Sequence, residues 1–154
     1  MSMFSDMLLR ASTTVIAFII LISIIAIGIV FDMLGVAVTV ADEKPFNSMA
    51  SSKIKGAKSS LMLIKNAGRV SNVFNDVIGD ICGIISGTSA AFIVSQIGGS
   101  VEFIDAAIFS IILSGLVAAG TIGGKAMGKD IAIGRSKEIV TIAGKIISVF
   151  TERK

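Results

Sequence analysis

The sequence predicts an all-α integral membrane protein. It has three transmembrane helices, an amphipathic juxtamembrane helix between the first two, and an amphipathic C-terminal helix. Three observations carry this reading. Of the 154 residues, 53% are hydrophobic and 16% charged, with a mean hydropathy of +0.89; a soluble domain carries about a quarter charged residues. Three long stretches hold no charge at all. All of the 14 basic residues except Arg10 fall on one side of a three-span arrangement.

The same composition excludes an ordinary soluble enzyme, a disordered tail and a disulfide-stapled domain. With no His, one Cys and one Pro, imidazole catalysis and His/Cys zinc sites are ruled out. Cys82 can form no internal disulfide. Tyr and Trp are absent, so the usual aromatic belt is missing.

Spanning the hydrocarbon core takes about 20 apolar residues in a helix. Residues 11–31, between Arg10 and Asp32, are uncharged, as are 81–101 between Asp80 and Glu102 and 106–124 between Asp105 and Lys125. Helix is the state that satisfies their backbone in lipid. The expected spans are 11–40, 77–98 and 103–123, all in one membrane domain over 1–154. The first runs past Asp32, because MLGVAVTVA stays apolar to Ala41. A signal peptide is the alternative for this segment, but its apolar stretch exceeds the roughly 7–15 residues of a signal core.

Pro45 is expected to break the chain there. Asn47 or Ser48 then caps a helix over 47–68, where Ile54, Ala57, Leu61 and Ile64 recur at helical spacing opposite lysines. That pattern predicts a helix on the cytoplasmic membrane surface; a linker carrying topogenic charge is the blander alternative. Over 136–150, Ile139, Ile142, Ala143, Ile146 and Phe150 form a second apolar stripe, with Ser136 as a cap.

Charge placement orients the spans. Lys44, Lys53, Lys55, Lys58, Lys65 and Arg69 lie between the first two, and Lys125, Lys129, Arg135, Lys137, Lys145, Arg153 and Lys154 follow the third; the Gly98–Phe103 turn has none. The positive-inside rule makes the basic side cytoplasmic. The expectation is a multi-pass protein of the cell membrane, N-terminus outside and C-terminus inside.

Two stripes bear on function. Gly79, Gly83 and Gly87 make an extended GxxxG pattern, and Gly120, Gly124 and Gly128 a second; both suit helix packing within the chain or across a homodimer or other oligomer. Asn72, Asp76 and Asp80 share a helix face at i, i+4, i+8. A charged Asp deep in a bilayer costs about 2.5–3.5 kcal/mol even on lenient scales, so Asp32, Asp76 and Asp80 call for a reason. Either they mark helix ends neutralised by Lys65 or Arg69, or with Asn75 and Ser86 they offer the hard oxygen ligands of Mg²⁺ or Ca²⁺. Glu102 and Asp105, at the outer end, read as solvated.

Three passages resemble the transmembrane domain of the CorC and cyclin M (CNNM) magnesium transporter family. KGAKSSLMLIKNAGRVSNVFNDVIGDICG is similar to that family's passage from juxtamembrane helix into second span. GKAMGKDIAIGRSKEIVTIAGKIISVF is similar to the segment leaving the third. The first span running into FDMLGVAVTVADEK is similar to the first helix and its cytoplasmic connection. The chain departs from the pattern at several points. FDMLG replaces a Ser-rich acidic motif, leaving Asp32 as the ligand there. GTIGGKAMGK keeps Lys125 but lacks the Glu and Pro of the family turn, NDVIGD has acids where amides are expected, and the usual regulatory domains are missing. The resemblance implies a three-span, dimeric module that handles Mg²⁺, with a separate cytoplasmic regulatory protein as a partner.

The leading expectation is a cation-binding or cation-moving membrane protein. The alternative is a non-transporting assembly or regulatory subunit that oligomerises through its Gly stripes. A lipid-linked enzyme using Asp76, Asp80 and Lys125 ranks third, for want of any nucleophile-and-base pair. No catalytic residue is assigned, and nucleic-acid binding is not expected because the lysines follow topology.

Orientation is directly testable. In a Cys82→Ser background, a membrane-impermeant maleimide should label Ser5→Cys but not Lys137→Cys in intact cells. The reverse pattern would invert the topology.

Overall fold

The computed structural model describes residues 2–98 and 103–151. Among them lie seven α-helices, one π-helical turn and no strand: α1 (Ser2–Val40), α2 (Glu43–Ser51), α3 (Ala57–Lys65), α4 (Ala67–Asn72), the π turn (Val73–Ile78), α5 (Gly79–Gly98), α6 (Phe103–Gly134) and α7 (Ser136–Thr151). Three helical stretches are long and apolar enough to cross a membrane: Thr14–Val40, Ala67–Ser95 and Ser110–Gly134. Glu102, the side chain of Asp105, Phe150's side chain and Glu152–Lys154 lie outside the described residues.

Helix α1 runs through Asp32 without a break, as its apolar continuation predicts. The other two stretches depart from expectation. The second starts near residue 67 rather than 77, so Asp76 joins Asp80 inside it. The third continues to Gly134 rather than stopping near 123. A glycine ends a helix when it turns left-handed, and among the described residues Gly56 is the glycine with positive φ.

The chain divides into two compact units. The first comprises the residues up to Gly28 together with Ile81–Gly124. Its core is Leu21, Ile93 and Leu113, with Phe18, Ile25 and Val117 packed against it. Gly28 admits α5 closely, since a Cβ there would lie 3.1 Å from that of Cys82. Ile16, Ile22, Ile84, Ile111 and Leu116 all point outward. In water such a surface would be an aggregation liability; against lipid it is the expected one.

The second unit comprises Ile29–Asp80 and the chain from Lys125 onward. Its core gathers Ala37, Val38, Phe46, Ile64, Ala132 and Val140. Helix α2 begins at Glu43 rather than at Asn47 or Ser48, because Asp42 caps it, its side chain accepting from the Lys44 N–H at 3.1 Å. Pro45 then falls in the first turn, where its missing N–H is not needed. It permits the new helix instead of breaking the old one.

The expected single helix over 47–68 is divided among α2, α3 and the start of α4. After Ser51 the chain turns through Lys53 (φ 55) and Gly56 (φ 84) before α3 starts. Ala57 and Ile64 are buried in the unit, while Ile54 is left exposed. The apolar face of α3 is therefore covered by protein, largely α7.

Helix α7 turns inward a face that only partly matches the expected one. Val140, Gly144 and Ser148 are buried and Ile139 of the expected stripe packs against the core, whereas Ile142 and Ile146 are exposed. Gly144 explains the choice. A Cβ there would meet the Ser60 hydroxyl and lie 2.7 Å from the Gly56 carbonyl and 2.8 Å from the Ser60 nitrogen. The two helices touch nearly backbone to backbone, and the Ser60 hydroxyl donates to the Val140 carbonyl at 3.0 Å. The exposed Ile142 and Ile146, with Val30, Met33 and Leu34 of α1, line an apolar groove of about 270 Å³.

Adding a methyl at this crossing presses on backbone that cannot yield. Gly144→Ala should destabilise the protein by about 1–3 kcal/mol, read as a lower thermal midpoint in detergent. Gly68→Ala in α4, where a Cβ meets open space, should instead stabilise by about 0.5–1 kcal/mol through helix propensity.

Candidate functional site

The polar centre of the second unit is built on α1. Asp32 is 5% exposed, and its Oδ1 lies 3.8 Å from Nζ of Lys125 on α6. That distance is long for an ion pair, and the lysine side chain keeps 30% of its exposure. The ammonium also lies beside Gly79, where a Cβ would stand at an ordinary contact distance of 3.5 Å from Nζ. The second carboxylate oxygen, Oδ2, is buried without a hydrogen-bond partner.

Gly35 follows Asp32 at i+3 and so shares its face of α1. Asn75 sits against it: a Cβ at Gly35 would collide with the carboxamide oxygen and lie 2.9 Å from its Cγ. Asn75 Nδ2 donates to Ser71 Oγ at 3.2 Å, while its Oδ1 is buried with no partner. Phe31 and Phe74 stack edge to face, with ring centroids 5.3 Å apart, holding α1 against the π turn. Two acceptor oxygens, on Asp32 and Asn75, are thus buried in this unit without donors. A bound cation, or a donor such as water, would satisfy either one.

The π turn explains why Asn75 is the residue that enters. The Gly79 N–H reaches back five residues to the Phe74 carbonyl, so the turn is wider than an α turn. Asn72, Asp76 and Asp80 are all exposed. Of the five expected ligands, Asp32 and Asn75 each hold a buried, unpartnered oxygen, and Asn75 lies against Gly35, one turn along α1 from Asp32; Asp76 and Asp80 are exposed. Ser86 belongs to the first unit, where it is buried and donates to the Gly83 carbonyl at 2.9 Å. Among the described residues no group of three His, Cys, Asp or Glu side chains could hold a metal.

The expected packing glycines behave differently from one another. Gly79 faces Lys125, and Gly124 is half-buried. A Cβ at Gly83, Gly87 or Gly120 would meet nothing within 4 Å. Gly83 and Gly87 line a groove of about 350 Å³ with Ser86, Ser114, Val117 and Thr121. That face is open within the single chain.

Sequence reasoning missed Lys125 as the partner of Asp32, and Gly35 and Ser71 as supports of Asn75. A signal for the pair was available. Asp32 and Lys125 are opposite charges that each border a long uncharged stretch, residues 11–31 and 106–124.

No family model, curated protein or solved structure matches the chain. What the site can do must be argued from its own atoms.

Removing one partner of a buried ion pair leaves the other uncompensated. Lys125→Met should destabilise the protein by about 1–3 kcal/mol, the lower part of the usual range because the lysine is partly solvated. Asp32→Leu combined with Lys125→Met should recover most of that loss. A detergent-denaturation double-mutant cycle with coupling below about 0.5 kcal/mol would show that the contact contributes nothing.

Proposed function

We propose that this is a non-enzymatic multi-pass protein of the cell membrane that binds or moves a divalent cation, with Mg²⁺ as the first candidate. One observation carries the reading: the buried, donor-less oxygens Asp32 Oδ2 and Asn75 Oδ1. A carboxylate and a carboxamide oxygen are hard ligands of the kind that suits Mg²⁺, which keeps several of its own waters and needs few protein groups. Lys125 is then a tethered cation that neutralises Asp32 when the site is empty and yields to the incoming ion. Asp76 and Asp80, exposed nearby in the sequence, attract cations toward the site. The resemblance to the CorC and cyclin M transporters points the same way, as does the expected orientation with the basic segments in the cytoplasm.

A second reading rests on a different observation. The open faces of Gly83, Gly87 and Gly120 suit close approach by another helix, from a second copy or from a larger membrane protein. On this reading the chain is an assembly or regulatory subunit, and Asp32 is neutralised by Lys125 alone.

Mg²⁺ flux into proteoliposomes separates the two. Asp32→Asn and Asn75→Ala should each lower the initial rate at least about tenfold, equivalent to about 1.4 kcal/mol. Asp76→Asn and Asp80→Asn should change it less than about threefold. Lys125→Met should lower the Mg²⁺ concentration needed for half-maximal rate, since the competing ammonium is gone. Wild-type flux no greater than that of empty liposomes, or flux indifferent to Asp32→Asn, overturns the cation reading.

A further inference from the structure

We propose that the groove between α1 and α7 retains one acyl chain of a bilayer phospholipid. Val30, Met33 and Leu34 of α1 face Ile139, Ile142 and Ile146 of α7 across a space of about 270 Å³. Both walls belong to the second unit. The α1 wall lies within Thr14–Val40, the most apolar of the three stretches long enough to cross a membrane. An opening in the side of such a stretch faces acyl chains once the helix spans a bilayer. The proposal needs that placement of α1 and does not depend on the cation reading.

The protein does not fill the groove itself. Its most flexible lining side chain, Met33, is held elsewhere: a Cβ at Gly128 of α6 would lie 2.8 Å from its Cγ and 3.3 Å from its Sδ. A methionine is the side chain best able to collapse into an irregular gap, and this one is committed to α6. Ile142 and Ile146 are left 58% and 56% exposed. Glu138 and Lys145, two turns apart on α7, are exposed as well. An exposed apolar stripe and an exposed charged one on the same helix suit a position at the headgroup boundary, with the apolar side among the acyl chains.

Other occupants fit less well. A water molecule needs about 2–4 polar partners, and none of the seven lining residues has a polar side chain. A stable protein interface takes about 20–30 residues a side, far more than those seven. A single docking helix approaches closely over small residues, and here Ala143 is the one small residue among Val, Leu, Ile and Met. An acyl chain is thin enough to enter and meets protein on two sides. Lipid against a bare helix meets it on one, so the added dispersion contacts hold the chain in the groove.

The chain has neither Trp nor Tyr, so a single introduced Trp reports on its own surroundings. Val149→Trp sets it one turn beyond Ile146 and leaves the lining residues unchanged. Ile111→Trp sets it on the outward surface of α6, where Ile111 is 73% exposed. The full chain in a neutral detergent is titrated with phosphatidylcholine brominated on its acyl chains, which quenches Trp on contact. Val149→Trp should be half-quenched at a lipid-to-detergent ratio at least about fivefold below that of Ile111→Trp. Adding Ala143→Leu, which fills the groove from α7, should bring the two ratios within about twofold. Val30→Leu fills it from α1 and replaces Ala143→Leu if that variant loses its helical circular dichroism. The proposal is overturned if the two reporters quench at the same ratio, as surrounding lipid alone would give. It is equally overturned if Val149→Trp stays unquenched in bilayers of the brominated lipid, as protein over the groove would give, or if the folded filling variant leaves the ratio unchanged.

Discussion

Burying the Asp32 carboxylate in an otherwise apolar helix costs several kcal/mol unless a counter-charge and hydrogen bonds reach it. The polar part of the second unit is organised around that requirement. Lys125 reaches Asp32 from α6, with its ammonium passing beside Gly79. Asn75 enters beside α1 because Gly35 has no side chain to exclude it, and because the helix widens into a π turn there. The Phe31–Phe74 contact fixes the two backbones at that spacing. Each feature is unremarkable by itself; together they are the conditions under which one carboxylate can be tolerated, and they still leave two oxygens unmet.

Much of this was legible in the residues. The uncharged stretches announce three long helices, and the continuation of α1 through Asp32 follows from the apolar residues beyond it. Asp32 and Asn75 were both recognisable as candidate ligands. What escaped has physical reasons. The inward face of α7 is Val140, Gly144 and Ser148, and a hydrophobicity stripe cannot rank a glycine and a serine above Ile142 and Ile146. Close backbone approach can, because dispersion contacts over a long crossing outweigh the burial of two isoleucines that lipid can cover anyway. The break at 52–56 was hidden because Lys53 holds a conformation that normally announces itself as glycine. The i, i+4 spacing of Asn72, Asp76 and Asp80 says nothing about which face turns inward, and all three are exposed. The π turn selects Asn75 instead.

The glycines illustrate the same limit. Repeats at Gly79–Gly83–Gly87 and Gly120–Gly124–Gly128 look like a single kind of signal. In space they separate into positions filled by a neighbour, such as Gly128 with Met33 Cγ 2.8 Å from where a Cβ would be, and positions facing nothing, such as Gly83, Gly87 and Gly120. The first kind is accounted for by the fold of one chain. The second is surplus to it, and that surplus is why an oligomer stays in view beside the cation reading.

The Ser60–Val140 hydrogen bond joins residues separated by 80 positions. The α3 surface that carries Ser60 and Ile64 therefore has no partner until α7 has been made. At roughly 5–20 residues per second of synthesis, that interval is on the order of 4–16 s. During it an apolar, lysine-flanked helix waits uncovered while the apolar stretches after it are still emerging. At nine residues α3 is too short to become a span of its own. The final shape of the second unit thus depends on α7, the last helix to be made.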